Sequence, residues 1–167
     1  MTALLLQSSI VLVLLAIAAQ DFKYRAVSWY LFPVLIAFLC AYVYPFDVID
    51  IVINIGFILL VFALLTLWFS LLHGRPLNLF KEHLGLGDVL FLLCLSVYFT
   101  PANFFLFYLC SLILICIGTG FYFLIRKAEQ FTVPLAGLQG MILMILMAGG
   151  WMFGLEIGHI DFTKYLL

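Results

Sequence analysis

Two aspartates carry the chemistry open to this chain. Asp88 closes the stretch Glu82-His83-Leu84-Gly85-Leu86-Gly87-Asp88, which lies between two long apolar runs. Asp21 ends the first apolar run and is followed by Lys23 and Arg25. An acid inside a membrane span costs about 2–4 kcal/mol, less near the interface, so one found there is a candidate functional group. Two carboxylates at one depth suit hydrolysis. The ionised one takes a proton from water, and the protonated one donates to the scissile carbonyl. A plainer use of the same residues stays open: Asp21 ends a helix beside Lys23 and Arg25, and Asp88 pairs with a base. Gly85 and Gly87 remove side-chain bulk ahead of Asp88, which lets another backbone approach it; a helix-start turn would use them equally well. Glu82 either shapes the site or solvates its loop.

Other chemistries are poorly supplied. There is no H-E-x-x-H pair for zinc, no G-x-S-x-G and no phosphate-binding G-x-x-x-x-G-K-[ST]. Ser96 and Ser111 lie in apolar runs without a histidine in a span to act as base. His83 with Glu82 and Asp88 would be the one conceivable metal cluster, and a solvated interfacial histidine is the simpler reading. Cys40, Cys94, Cys110 and Cys116 all lie in apolar runs and form no C-x-x-C, which points to packing. The bases are too few and too dispersed for nucleic acid. No metal and no cofactor are expected.

The elements that must position the aspartates are membrane helices. Of 167 residues, 68% are hydrophobic and 9% charged, where a soluble domain has about 45–50% and 25%. Six apolar runs can be drawn, at about Ala3–Gln20, Val27–Tyr44, Val48–Leu72, Leu84–Phe99, Asn103–Ile125 and Thr132–Phe153. They predict an all-α bundle of about six transmembrane helices, as one domain over residues 1–167. Counting back about 17 residues from Thr100-Pro101 makes the fourth span begin near Glu82–Leu84, with Asp88 about one turn inside it. The first run has no basic residue ahead of it, and Lys23 and Arg25 follow it. That is the reverse of a signal peptide, so a retained helix is expected.

Orientation follows from the bases. Six of the seven Lys and Arg residues (Lys23, Arg25, Arg75, Lys81, Arg126 and Lys127) fall in alternate connections. Positive-inside bias assigns those connections to the cytoplasm and both termini to the outer face. Asp21 and Asp88 then share the cytoplasmic boundary.

Three segments, in order along most of the chain, resemble one family. Glu82-His83-Leu84-Gly85-Leu86-Gly87-Asp88 resembles the E-x-x-G-x-G-D signature of the type IV prepilin peptidases, which are GxGD membrane aspartic proteases. Asp21-Phe22-Lys23-Tyr24-Arg25-Ala26-Val27 resembles that family's first-aspartate segment. Val133-Pro134-Leu135-Ala136-Gly137-Leu138-Gln139-Gly140 resembles the Pro-containing segment that opens its last span. The chain departs from the pattern at Leu90, where the family commonly has Lys, and at Ser28-Trp29, where Pro-Asn is usual.

The resemblance implies that Asp21 and Asp88 are the catalytic pair. Gly85, Gly87, Glu82, Lys23, Arg25 and Pro134 would bind substrate or shape the site. It implies removal of a short basic leader from prepilin-like precursors at the cytoplasmic side of a prokaryotic inner membrane. The connections have no room for the cytoplasmic insert of the larger, methylating members, so a short peptidase-only form is expected. The partners expected are the precursor and the bilayer, with no nucleic acid; oligomeric state is not legible. Two other functions fit the composition: a small proton-coupled transporter, and an inactive scaffold of a pilus or secretion assembly.

Overall fold

The computed structural model describes residues 2–73, 85–126, 133–155 and Gly158. Among them the structure is all helix and turn. We label the helices α1 (Thr2–Tyr24), α2 (Leu31–Val43), α3 (Val48–His73), α4 (Leu86–Tyr98), α5 (Pro101–Arg126) and α6 (Leu135–Phe153). Four of them, α1, α3, α5 and α6, are long and apolar enough to cross a membrane. The chain is a multi-pass helical membrane protein with the expected all-α bundle architecture.

The other two helices depart from the expected lengths. Helices α2 and α4 have 13 residues each, about 20 Å at 1.5 Å per residue, against a hydrocarbon core of about 30 Å. Residues 26–30 form an irregular stretch and a turn instead of the start of α2. Pro33 falls in the first turn of α2, where a missing N–H costs nothing. The helix stops at Tyr44, held extended at ψ 131° ahead of Pro45. Helix α4 begins at Leu86, not near Glu82–Leu84. Gly85 is extended (φ −71°, ψ 133°), and Asp88 lies in the first helical turn. The far end of α4 is closed by a neighbour. Asn54 of α3, 1% exposed, donates from Nδ2 to the carbonyls of Ser96 (3.0 Å) and Phe99 (2.8 Å). Those are carbonyls that a helix end leaves unpaired. In lipid each must find a partner, and this one side chain lets α4 stop short.

Helix α4 is the centre of the bundle. It packs on α2, α3 and α6, while α1 packs on α2 and most extensively on α6. The core joins Ile10, Leu14 and Ile17 of α1 to Phe32, Leu35 and Leu39 of α2. Phe91 and Leu95 of α4 and Leu143 and Met147 of α6 pack into it. Glycine opens the contact of α4 with α6: a Cβ on Gly140 would stand 3.7 Å from the Phe91 ring. Ile58 of α3 and Phe104 and Phe107 of α5 join this core from the side, and the exposed Leu, Ile, Phe and Trp side chains of these two helices make an apolar surface of the kind that faces a bilayer.

Candidate active site

Three helix termini meet at the aspartates. Asp21 is in the last turn of α1 and is 8% exposed. That turn ends in a left-handed residue, Arg25 (φ 54°), whose N–H donates to the Asp21 carbonyl at 3.0 Å. This is the αL mode of closing a helix. It fixes the backbone of Asp21 and leaves its carboxylate free to reach α6. Asp88 is in the first turn of α4, its own N–H bonded to the Gly85 carbonyl at 3.0 Å.

Both carboxylates are held by consecutive amides of a third helix. Ala136 N–H donates to Asp88 Oδ1 at 2.9 Å, and Gly137 N–H donates to Asp21 Oδ2 at 2.7 Å. These are the second and third residues of α6, whose N-cap is the buried Pro134. The first N–H groups of a helix have no partner within it. They carry the positive end of its dipole and stabilise a nearby anion by about 0.3–2 kcal/mol. Asp21 needs this more than Asp88 does. It lies at the negative end of its own helix, where an acid is unfavourable, whereas Asp88 lies at the favourable end of α4. Two hydrogen bonds and one peptide unit separate the oxygens. The pair that the sequence places 67 residues apart is therefore brought to one point.

The glycines differ in what they do. The Gly85 N–H faces the Asp88 carboxylate, and a Cβ on Gly85 would stand 3.2 Å from Asp88 Oδ2. A Cβ on Gly87 would meet Phe32 and Val27 at 3.8–3.9 Å, which is ordinary contact. Gly87 thus turns toward α2 and not toward an open groove, while Gly85 leaves room at the carboxylate. Gly137 is the tightest of the three. A Cβ there would lie 3.1 Å from both Cβ and Oδ2 of Asp21 and 3.4 Å from the Ala18 carbonyl.

Of the other site residues expected from sequence, Lys23 is exposed with its Nζ 4.9 Å above the Tyr24 ring, a cation–π contact. Arg25 contributes its backbone to the end of α1. Gln20 Oε1 accepts from Ser28 N–H at 2.8 Å and pins the turn that follows. Glu82 and His83 lie outside the described residues, and with them the conceivable metal cluster. Among the described residues no three His, Cys, Asp or Glu side chains come together. The sequence reading singles out neither Ala136 nor Gly137 within the Val133–Gly140 segment; as donors to the carboxylates they are signalled only by their place two and three residues after Pro134 and, for Gly137, by its missing side chain. A cavity of about 470 Å3 lies at the opposite end of the bundle, between Gln7, Tyr42 and Tyr98. It contains neither aspartate.

No protein-family model, curated protein or solved structure matches the chain.

Proposed function

We propose that the chain is an intramembrane aspartic endopeptidase that removes the short basic leader of prepilin-like precursors. One observation carries this reading. The two aspartates converge on the amides of Ala136 and Gly137, so the three segments that resemble the prepilin peptidases form a single site. The mechanism follows from the pair. A water between the carboxylates loses a proton to the ionised one as its oxygen bonds to the scissile carbonyl carbon. The protonated carboxylate gives its proton to the carbonyl oxygen. The tetrahedral diol then collapses, the leaving nitrogen takes a proton, and the pair returns to one shared proton. The α6 amides hold each carboxylate in place by one oxygen and leave the other for water or substrate. Cleavage of a precursor with a short basic leader and a following apolar helix, by purified protein in detergent, tests the reading. An inert wild-type protein would leave the scaffold function in its place.

The transporter reading is less well supported. A carrier places its polar groups near mid-membrane, whereas both aspartates here are within one turn of a helix end. The proposal also sets the orientation. Reporter fusions after Phe22, after His73 and after Ala128 are expected to read cytoplasmic. Fusions near Asp47 and at the C-terminus are expected to read external. A cytoplasmic C-terminus would contradict the proposed common face.

The glycines ahead of Asp88 give a graded expectation. Gly85→Ala puts a methyl 3.2 Å from Asp88 Oδ2 and is expected to lower kcat about tenfold or more, because small displacements of a reacting group are amplified. Gly87→Val presses on Phe32 and Val27 and is expected to cost about 1–3 kcal/mol of stability as overpacking. Its activity should fall with that loss. Specific activity and thermal melts of the two variants separate the effects. Parental kcat in Gly85→Ala would mean that this face of Asp88 is not constrained.

A further inference from the structure

A cleft runs the length of the contact between α5 and α6. It consists of two apolar cavities, of about 370 Å3 and 260 Å3, that share Leu114 and Ile142 as lining. The larger ends at Phe22 and Pro134, and the smaller reaches Phe99. Phe22 follows Asp21 directly, and Pro134 opens the helix whose amides hold both carboxylates. Along α5 the lining extends from residue 103 to residue 122. That is about 29 Å at 1.5 Å per residue, close to the hydrocarbon thickness. Gly118 lines the larger cavity, and a Cβ there would meet nothing within 4 Å. Between the two helices, Gln139 Nε2 donates to Ser111 Oγ at 3.2 Å. Both side chains are buried.

We infer that this cleft is the docking track for the apolar helix that follows the cleavage site of the precursor. The identity of the occupant rests on the peptidase reading; the track itself rests on the geometry. The cleft is apolar, so its occupant is apolar. It spans both leaflets, whereas one acyl chain fills about half of the 30 Å core. It ends beside the dyad, so a helix lying in it has its cytoplasmic end at the carboxylates. The open side of Gly118 lets a helix backbone come close, as small residues do between membrane helices.

Two measurements test the inference. In the first, Gly118→Trp projects an indole into the cleft and Ile117→Trp places the same indole at an exposed position that does not line it. Gly118→Trp is expected to raise KM for the full precursor at least about tenfold with kcat less affected, the signature of lost ground-state binding. Ile117→Trp should leave KM unchanged, and both proteins should melt like the parent. In the second, benzoylphenylalanine replaces Leu114 or Leu106 in an Asp88→Asn background that retains its substrate. Both probes are expected to cross-link the precursor's apolar segment. Leu106 should map about eight residues further from the cleavage site than Leu114, since the two helices share one rise. Cross-links to lipid alone, or to the precursor without that offset, would overturn the inference, as would an unchanged KM in Gly118→Trp. A wild-type protein that cleaves nothing would sink the peptidase reading instead, while the cross-links would still report whether an apolar helix occupies the cleft.

Discussion

Asp21→Asn and Asp88→Asn proteins are expected to insert, to melt close to the parent and to cleave no measurable precursor. Asparagine keeps an amide oxygen where each carboxylate accepts its bond from Gly137 or Ala136. The neutral acceptor is weaker by about half, so the expected cost is about 1 kcal/mol. For Asp21 even that is partly offset, because removing a negative charge from the C-terminal end of α1 is favourable. Catalysis has no such compensation. Asparagine neither takes a proton from water nor carries one to the carbonyl oxygen. One proton-transfer group contributes about 10²–10⁴-fold, and in the proposed cycle the pair performs every transfer. The double mutant is expected to be no worse than either single one, because groups acting as a unit are not additive. The measurement is a cleavage assay in detergent on the two single mutants and the double, beside thermal melts. Substantial turnover by either single mutant, with its melt unchanged, would remove that aspartate from the chemistry. It would also return its amide bond to a purely structural role.

The parts of this arrangement that were legible in the sequence are those that side-chain identity determines. Apolar runs bounded by Pro45 and Thr100-Pro101 mark helices, and two acids at run boundaries mark the candidate site. What was not legible depends on the backbone and on tertiary partners. An apolar stretch such as Val27–Tyr30 reads the same whether it is helix or turn, so α2 was drawn too long. Helix α4 ends at Tyr98, where Thr100-Pro101 places its end, but the bonds that close that end come from Asn54, which belongs to another helix. A span counted by residue number has no means of foreseeing that cap. The donors to the aspartates are peptide N–H groups, which every residue but proline carries. No side chain announces Ala136. Gly137 gives a signal only by lacking one. Gly85 and Gly87 read alike as bulk removed beside the carboxylate, and only the fold separates them: an added Cβ meets Asp88 at Gly85 and Phe32 and Val27 at Gly87.

The second large effect is expected at Gly137, which has no ionisable group. Gly137→Val should insert yet show no measurable cleavage, and Gly137→Ala should lose about 10–10² in kcat with little change in KM. The warrant is space. A Cβ would stand 3.1 Å from Asp21 Cβ and Oδ2 and 3.4 Å from the Ala18 carbonyl. Two of these three atoms, Asp21 Cβ and the Ala18 carbonyl oxygen, belong to or adjoin the backbone of α1. They do not swing aside as the tip of a long side chain would. Either α1 withdraws from α6 by a few tenths of an ångström, or Asp21 rotates and gives up its 2.7 Å bond to the Gly137 N–H. In both cases the two carboxylates no longer share one register on α6. A displacement of about 1 Å at a reacting group is enough for about 10²-fold. Stability is expected to respond differently. Alanine is a better helix former than glycine by up to about 1 kcal/mol, which offsets part of the crowding, so Gly137→Ala should melt near the parent. Valine adds more bulk at the same place, and overpacking of about 1–3 kcal/mol follows. Gly140→Ala is the control. It lies on the same helix one turn on, where an added Cβ meets the Phe91 ring at 3.7 Å, an ordinary contact, and it should keep parental kcat. The experiment is kcat, KM and melting temperature for the three variants on one precursor. A Gly137→Val protein that turns over at the parental rate would show that the dyad does not depend on close approach of α6. A loss shared equally by Gly140→Ala would assign the effect to general packing of that helix instead.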